Sequence, residues 1–289
     1  MADSGVRAQV NSHGGFVWYE LMTTDIAAAK AFYAKVVGWG VADASMPGMA
    51  YALFTVKGAS VAGLMDLPPA AKAIGEKSSW LGYVAVDDVD AAADRVKRLG
   101  GAVHVPPRNI GKISRFSLVA DPQLGTLALL QWLSPRTEPA ADPGESGRIR
   151  WHELHAADRD KAFAFYAELF GWQKVDSEAE APDDYQVFSA AGQAIGGMLT
   201  KPPTAPIPFW LYYFNTGDVD AAMARVKAGG GRIVNGPLEV SGGGFMAQCT
   251  DPQGAAFGLV GSRGPKAVGY FERGAPRDPA DKRLRRWSW

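Results

Sequence analysis

Two short stretches carry the residues of this chain best placed to do chemistry. One reads Trp18-Tyr19-Glu20-Leu21-Met22, the other Trp151-His152-Glu153-Leu154-His155. Side chains alternate along a strand, so Trp18, Glu20 and Met22 share one face, and Trp151, Glu153 and His155 share the matching face. A Glu-x-His pair aimed into one cavity is an acid–base couple, or part of a divalent-metal site if further ligands join it. His152 falls on the opposite face, so the two histidines do not converge. Glu153, His155 and Glu20 are therefore the catalytic candidates. The plainer reading of Glu20 and Glu153 is a semi-buried carboxylate holding a partner, for which Arg115 or Arg150 is available.

Other chemistry is thinly supplied. Four histidines and one cysteine, Cys249, exclude a disulfide framework and a CxxC metal knuckle. Cys249 reads as a small buried hydrophobe. The glycines at 242–244 lack the following lysine and the strand–helix setting of a phosphate loop. Tryptophans Trp18, Trp80, Trp151 and Trp210 stand at equivalent strand starts. They either pack sheet against helix or wall a cavity for a flat, apolar ligand. In the second case Met22 and Arg115 join them as ligand-binding candidates.

These residues sit on a duplicated scaffold. Residues 18–39 and 151–172 match at 11 of 22 positions with an offset of 133, and residues 80–101 match 210–231 at 13 of 22 with an offset of 130. A repeat of about 130 residues implies tandem domains. They are expected at 14–133 and 148–262, joined by a Pro/Gly-rich linker at 134–147 and followed by a basic tail at 263–289 that ends in Trp287 and Trp289. In each half, a bulky strand leads to an Asp at an N-cap position, a helix with Phe-Tyr on its inner face, and a closing Gly. Further strands follow, with an Asp-Pro-Gln turn near the end. The expected fold is α+β: tandem duplicated βαβββ modules, four in all, with largely antiparallel curved sheets.

Thirty basic residues balance thirty acidic ones, so no net field recruits nucleic acid. No apolar run approaches the about 20 residues of a membrane span, and the first residues lack a signal-peptide core. A cytoplasmic protein with a small-molecule partner, monomeric or homodimeric, is the expectation.

The strand–Asp–helix with Ala-Phe-Tyr and a closing Gly-Trp (Asp25, Phe32, Tyr33, Gly38, Trp39), the Asp-Val-Asp-Ala-Ala helix start and the strand after Asp-Pro-Gln resemble the vicinal oxygen chelate superfamily. That is the glyoxalase, bleomycin-resistance and extradiol-dioxygenase group. Gly-x-x-x-Trp-x-Glu-Leu at Gly14–Leu21 and Gly147–Leu154 is similar to its two-domain, glyoxalase-like "hydroxylase" branch. The resemblance implies paired modules forming a cupped sheet with a ligand on the concave side. In metal-dependent members, His, Gln or Glu on each module's first strand and a Glu on the last strand hold a divalent cation. Carried onto this chain, those positions are Trp18 and Trp151, near Leu81 and Leu211, and about Leu129 and Gly258. None is a metal ligand.

The expectation is thus a cup that binds a small, partly aromatic or apolar molecule with no cofactor. One alternative is a lyase or dioxygenase-type enzyme with a displaced site at Glu153/His155, or at Glu20, with a divalent metal at Glu153/His155. The other is a non-catalytic interaction or regulatory protein working through its tail.

Overall fold

The structure is a computed structural model that describes residues 12–45, 48, 50–134, 145–175, 184–203, 205–240 and 243–264. Most of the expected linker, Gly242, and all but the first two residues of the expected tail, Trp287 and Trp289 included, lie outside the described residues.

The first half contains β1 (Phe16–Thr23), α1 (Ile26–Val37), β2 (Gly40–Asp43), β3 (Tyr51–Val56), β4 (Ala59–Asp66), a short α2 (Pro69–Ala73), β5 (Ser79–Ala85), α3 (Val89–Arg98), β6 (Ala102–Ile110), β7 (Ser114–Ala120) and β8 (Thr126–Trp132). Among its described residues, the second half repeats this without the short helix. Its elements are β9 (Ile149–Ala156), α4 (Arg159–Phe170), β10 (Gln173–Val175), β11 (Gln186–Ala190), β12 (Gln193–Thr200), β13 (Phe209–Asp218), α5 (Val219–Ala228), β14 (Arg232–Val240), β15 (Gly244–Thr250) and β16 (Ala256–Ser262). The duplicated βαβββ plan is therefore present, four modules in two domains.

Helix boundaries follow from local chemistry. Asp25, Asp88, Asp158 and Asp218 are the N-caps, each accepting a backbone N–H three residues on at 2.9–3.1 Å. Of the two candidates before α3, Asp88 makes the cap, while Asp90 lies in the first turn. Gly38 and Gly171 close α1 and α4 in the left-handed conformation, at φ 84° and 73°, which a side chain disfavours.

Each domain forms one eight-stranded sheet, ordered β2-β3-β4-β1-β5-β8-β7-β6 in the first and β10-β11-β12-β9-β13-β16-β15-β14 in the second. Within a module the first and last strands pair in parallel, while the two modules meet antiparallel at β1/β5 and at β9/β13. The first strands of all modules are thereby central in their sheets. A register shift between Phe16 and Trp18 departs from strict alternation, and Val17 packs with Trp18 and Met22 on the concave side.

The helix-bearing faces of both domains share one core. Its polar contacts are reciprocal. Tyr33 of α1 donates to Asp251, and Tyr166 of α4 to Asp121, each Asp belonging to the other domain's Asp-Pro-Gln turn (3.1 and 2.9 Å). Trp39 Nε1 donates to the Gly147 carbonyl and Trp172 Nε1 to that of Gly14 (2.6 and 2.7 Å). Paired contacts of this kind define an approximate two-fold relation between the copies. The concave faces point away from this core.

Candidate functional site

From Trp18 onward in β1, and from Trp151 to His155 in β9, alternation holds in the structure. Trp18, Glu20 and Met22 are on the first concave face, and Trp151, Glu153 and His155 on the second. The two cups then differ in what surrounds the carboxylate.

In the first, Tyr83 on β5 donates to Glu20 Oε2 at 2.6 Å, and Tyr51 on β3 also hydrogen-bonds to Glu20. Gly63 on β4 leaves room for the Tyr51 hydroxyl, where a Cβ would overlap it. Burial raises the Glu20 pKa above the usual carboxylate range, and the bonds from Tyr83 and Tyr51 offset that only in part. Around the carboxylate, Trp18, Met22, Phe116, Leu118 and Trp132 are half-buried and pack on Leu81, Tyr83, Ala128 and Leu130. This is an apolar wall with a protonatable group at its base.

The second cup is filled. Glu153 Oε1 is 2.7 Å from His155 Nε2, and it accepts from Tyr213 at 3.0 Å and from Gln248 Nε2 at 3.2 Å. Tyr185 donates to Oε2 at 3.3 Å, and Trp151 Nε1 donates to Tyr185 at 2.7 Å. A Cβ on Gly197 would overlap the Tyr185 ring, and one on Gly258 the Tyr213 ring. His155 also stacks on Phe209, with centroids 4.4 Å apart. Glu153 is 1% and His155 0% exposed, against 9% for Glu20. The couple read from the sequence exists, but it is enclosed by its own partners.

Other expected residues lie elsewhere. Trp80 and Trp210 are buried in the shared core, not on a concave face, because Leu81 and Leu211 take the concave positions beside them. Arg115 is not beside either carboxylate. Its guanidinium grips Asp90 at 2.6 and 2.7 Å and Asn109 at 2.9 Å, and Arg150 is exposed. On the last strand of the first domain, Leu129 packs in the core and Ala128 stands on the concave side. Cys249 is buried, its thiol pushed up to about 12 by desolvation, which suits an inert hydrophobe.

The residues missed were the tyrosines. Tyr83 and Tyr213 occupy the same place in the two copies and are Cα partners of Trp18 and Trp151. A tyrosine repeated opposite a repeated Trp-x-Glu was the available signal. Replacing Tyr83 with Phe should leave Glu20 under-paired and cost about 1–3 kcal/mol. Urea unfolding at pH 7 measures this, and an unchanged midpoint would show that Tyr83 does not hold the carboxylate.

Few of the donors present suit a divalent cation. Beside Glu153 the one other soft-to-borderline ligand is His155, whose Nε2 is already hydrogen-bonded to the carboxylate, and the remaining neighbours are neutral phenols and an amide. Glu20 faces Met22 and Leu118 where the second cup has His155 and Gln248. Among the described residues, no three of His, Cys, Asp and Glu come together as a metal group. Nor is any described helix long and apolar enough to cross a membrane.

Two tandem βαβββ domains with cupped sheets define the class, and direct comparison agrees. The chain belongs to the Glyoxalase/Bleomycin resistance protein/Dioxygenase superfamily, whose sequence model matches residues 15–126 and 148–259. Among its relatives is a protein of Mycobacterium tuberculosis (strain CDC 1551 / Oshkosh) provisionally called glyoxylase CFP32. It is 37% identical over 246 residues, which is 84% of this chain and 93% of that protein. The anthracycline biosynthesis protein DnrV of Streptomyces peucetius is 30% identical over 259 residues, covering 86% and 93%. In fold, the chain is similar to the Mn(II)-bound glyoxalase from Novosphingobium aromaticivorans, with a TM-score of 0.60 at 19% identity over 88% of this chain and 83% of that one.

Proposed function

We propose that the first domain's concave face binds a small, flat, partly aromatic molecule without a metal, and holds it rather than transforming it. One observation carries this reading: Trp18, Met22, Phe116, Leu118 and Trp132 remain half-exposed around the Glu20–Tyr83 pair, while in the second domain His155 and Gln248 take the places of Met22 and Leu118 and close over Glu153. Apolar walls with one polar anchor are the usual make-up of a small-molecule site. DnrV, by its name, works in anthracycline biosynthesis, which favours a fused planar ring system with phenolic or carbonyl oxygens as the ligand class. Burial raises the Glu20 pKa, and in its protonated form the carboxyl can donate to a ligand carbonyl, with the Tyr83 hydroxyl beside it.

Titration with a hydroxyanthraquinone in EDTA, followed by tryptophan fluorescence, tests this. Saturable quenching is expected, with affinity lowered about five- to tenfold by Trp18→Ala and unchanged by Trp151→Ala; a stacked aromatic contact of about 1–1.4 kcal/mol has that effect. Absence of saturation, or binding that needs added Mn²⁺, would overturn the proposal.

The raised pKa of Glu20 favours a second reading, in which the same cup is an enzyme with Glu20 as proton donor and acceptor. Mass spectrometry of the bound compound then shows turnover in EDTA that Glu20→Gln abolishes while affinity persists.

A further inference from the structure

One corner of the first domain exposes apolar side chains that its fold does not call for. The turn Gly111-Lys112-Ile113 joins β6 to β7, and the Ile113 N–H donates to the Ile110 carbonyl across it at 3.1 Å. The Leu133 N–H, just past β8, donates to the Ile113 carbonyl at 3.0 Å. Ile110, Ile113 and Leu133 therefore gather at one end of the sheet, 39%, 63% and 42% exposed. They are three of the eight large apolar residues exposed among the described residues, and such gathering marks a contact surface where single ones do not. In the second copy, at an offset of 130, the same positions hold Val240, Gly243 and Arg263. Arg263 there pairs with Asp220 at 2.7 Å, so the module folds without an apolar cluster at this corner.

Positive charge surrounds the turn. Arg108 and Lys112 are exposed, and neither makes an ion pair among the described residues; Arg108 lies over the Phe116 ring at 4.9 Å. The Asp90 carboxylate is already held by Arg115 at 2.6 and 2.7 Å. A second basic and apolar group stands in the sequence at residues 282–289, Lys-Arg-Leu-Arg-Arg-Trp-Ser-Trp, with four cations and no acid. The chain as a whole is neutral, so this charge is local. Eighteen residues separate Lys282 from Gly264, the last described one, and fully extended they reach about 60 Å.

We propose that the β6–β7 turn and residues 282–289 together bind an anionic lipid surface, the isoleucines and leucine entering the acyl boundary while the cations meet the headgroups. Charge and apolarity select this partner. Lysine and arginine are drawn to anionic headgroups, and tryptophan favours the interfacial level. A nucleic acid would match the cations but offers its phosphate backbone no use for Ile110, Ile113 and Leu133. Pairing with the same turn of a second copy would bring Arg108 and Lys112 against their own kind. Two weak contacts on one chain are also what lasting attachment to a bilayer requires.

Cosedimentation of the full chain with phosphatidylcholine vesicles, with and without phosphatidylglycerol, tests this. Binding is expected to be at least about tenfold tighter to the anionic vesicles and to weaken at high salt, which shortens the reach of the charges. Ile110→Ser combined with Ile113→Ser should weaken it several-fold, deletion of residues 282–289 likewise, and all three changes together should abolish it. If the double substitution fails to fold, Lys112→Glu reads the same turn and should also weaken binding several-fold. Equal affinity for neutral and anionic vesicles would overturn the proposal. So would binding that the deletion abolishes but the turn variants leave untouched, because the turn would then play no part. Retention on duplex RNA without vesicle binding would overturn it in favour of a nucleic acid, and self-association lost on Ile113→Ser without vesicle binding would do so in favour of a second copy.

Discussion

Lowering the pH from 7 to 4.5 should cost the folded chain about 2.4 kcal/mol through His152 alone. This residue is buried in the contact between the domains, where burial pushes its pKa down to about 4 from 6.5 and the bond to the Ile195 carbonyl offsets little of that. Its Nδ1 donates to that carbonyl at 2.5 Å, and its Nε2 accepts from the Tyr19 hydroxyl at 2.6 Å. The Phe16 ring stacks on it at 3.9 Å, and Tyr212 lies edge-on at 6.2 Å. None of these neighbours is an anion that would favour an imidazolium. Between about 4 and 6.5 the unfolded chain therefore binds a proton that the folded chain does not. Stability from this residue is fully present above pH 6.5 and lost as the pH falls toward 4, at about 1.4 kcal/mol for each pH step of one between those values. Asp121, Asp251 and Glu20, whose pKa values burial raises, work with the opposite sign, favouring the folded state at low pH. Comparison with His152→Gln, which keeps a donor and an acceptor but does not titrate, isolates the histidine. The stability difference between the two proteins should shrink by about 2.4 kcal/mol over this range in urea unfolding; parallel pH profiles would sink the assignment.

Most of the scaffold was legible because it rests on local rules. Four Asp caps, two left-handed glycines and alternation along Trp18–Met22 and Trp151–His155 need only neighbours in sequence, and the repeat states the plan twice. The site was legible only in its first strand. Period two divides a strand's residues between faces, but a strand buried on both faces does not announce which side is the core. Trp80 and Leu81 are equally apolar, so pattern alone does not tell that the tryptophan takes the core side. Apart from His155, the partners of Glu20 and Glu153 lie 31–95 residues away, and the repeated Tyr83 and Tyr213 are the one trace of them in the sequence. An arginine is the obvious mate for a carboxylate. Here tyrosines from β3, β5 and β13, and Tyr185 just before β11, supply hydrogen bonds without bringing a second charge out of water, which would carry its own desolvation cost.

Duplication also explains where the copies had to diverge. Near an approximate two-fold axis, a residue meets its own counterpart, so identical residues would have to be self-complementary. Two such meetings occur here, and in both the residues differ. Tyr19 faces His152, its equivalent at offset 133, as hydroxyl to ring nitrogen. Gly82 faces Tyr212, its equivalent at offset 130, and the Gly82 N–H is 2.8 Å from the Tyr212 hydroxyl. Glycine on one side is what admits tyrosine on the other. A Cβ at Gly82 would lie 2.7 Å from both Cε1 and the hydroxyl of Tyr212 and 2.9 Å from the Phe16 ring. Tyr212 is fully buried and cannot swing aside. Gly82→Ala should therefore destabilise the chain by about 1–3 kcal/mol through overpacking. Tyr212→Leu should be costly on its own, since it opens a void and removes the hydroxyl. Combined, the two changes should cost less than their sum by about 1 kcal/mol or more, because the smaller side chain admits the new methyl. A double-mutant cycle in guanidinium reads this directly. Additive costs would mean that the strain at Gly82 is relieved elsewhere and that the glycine–tyrosine pairing is not what fits the second domain to the first.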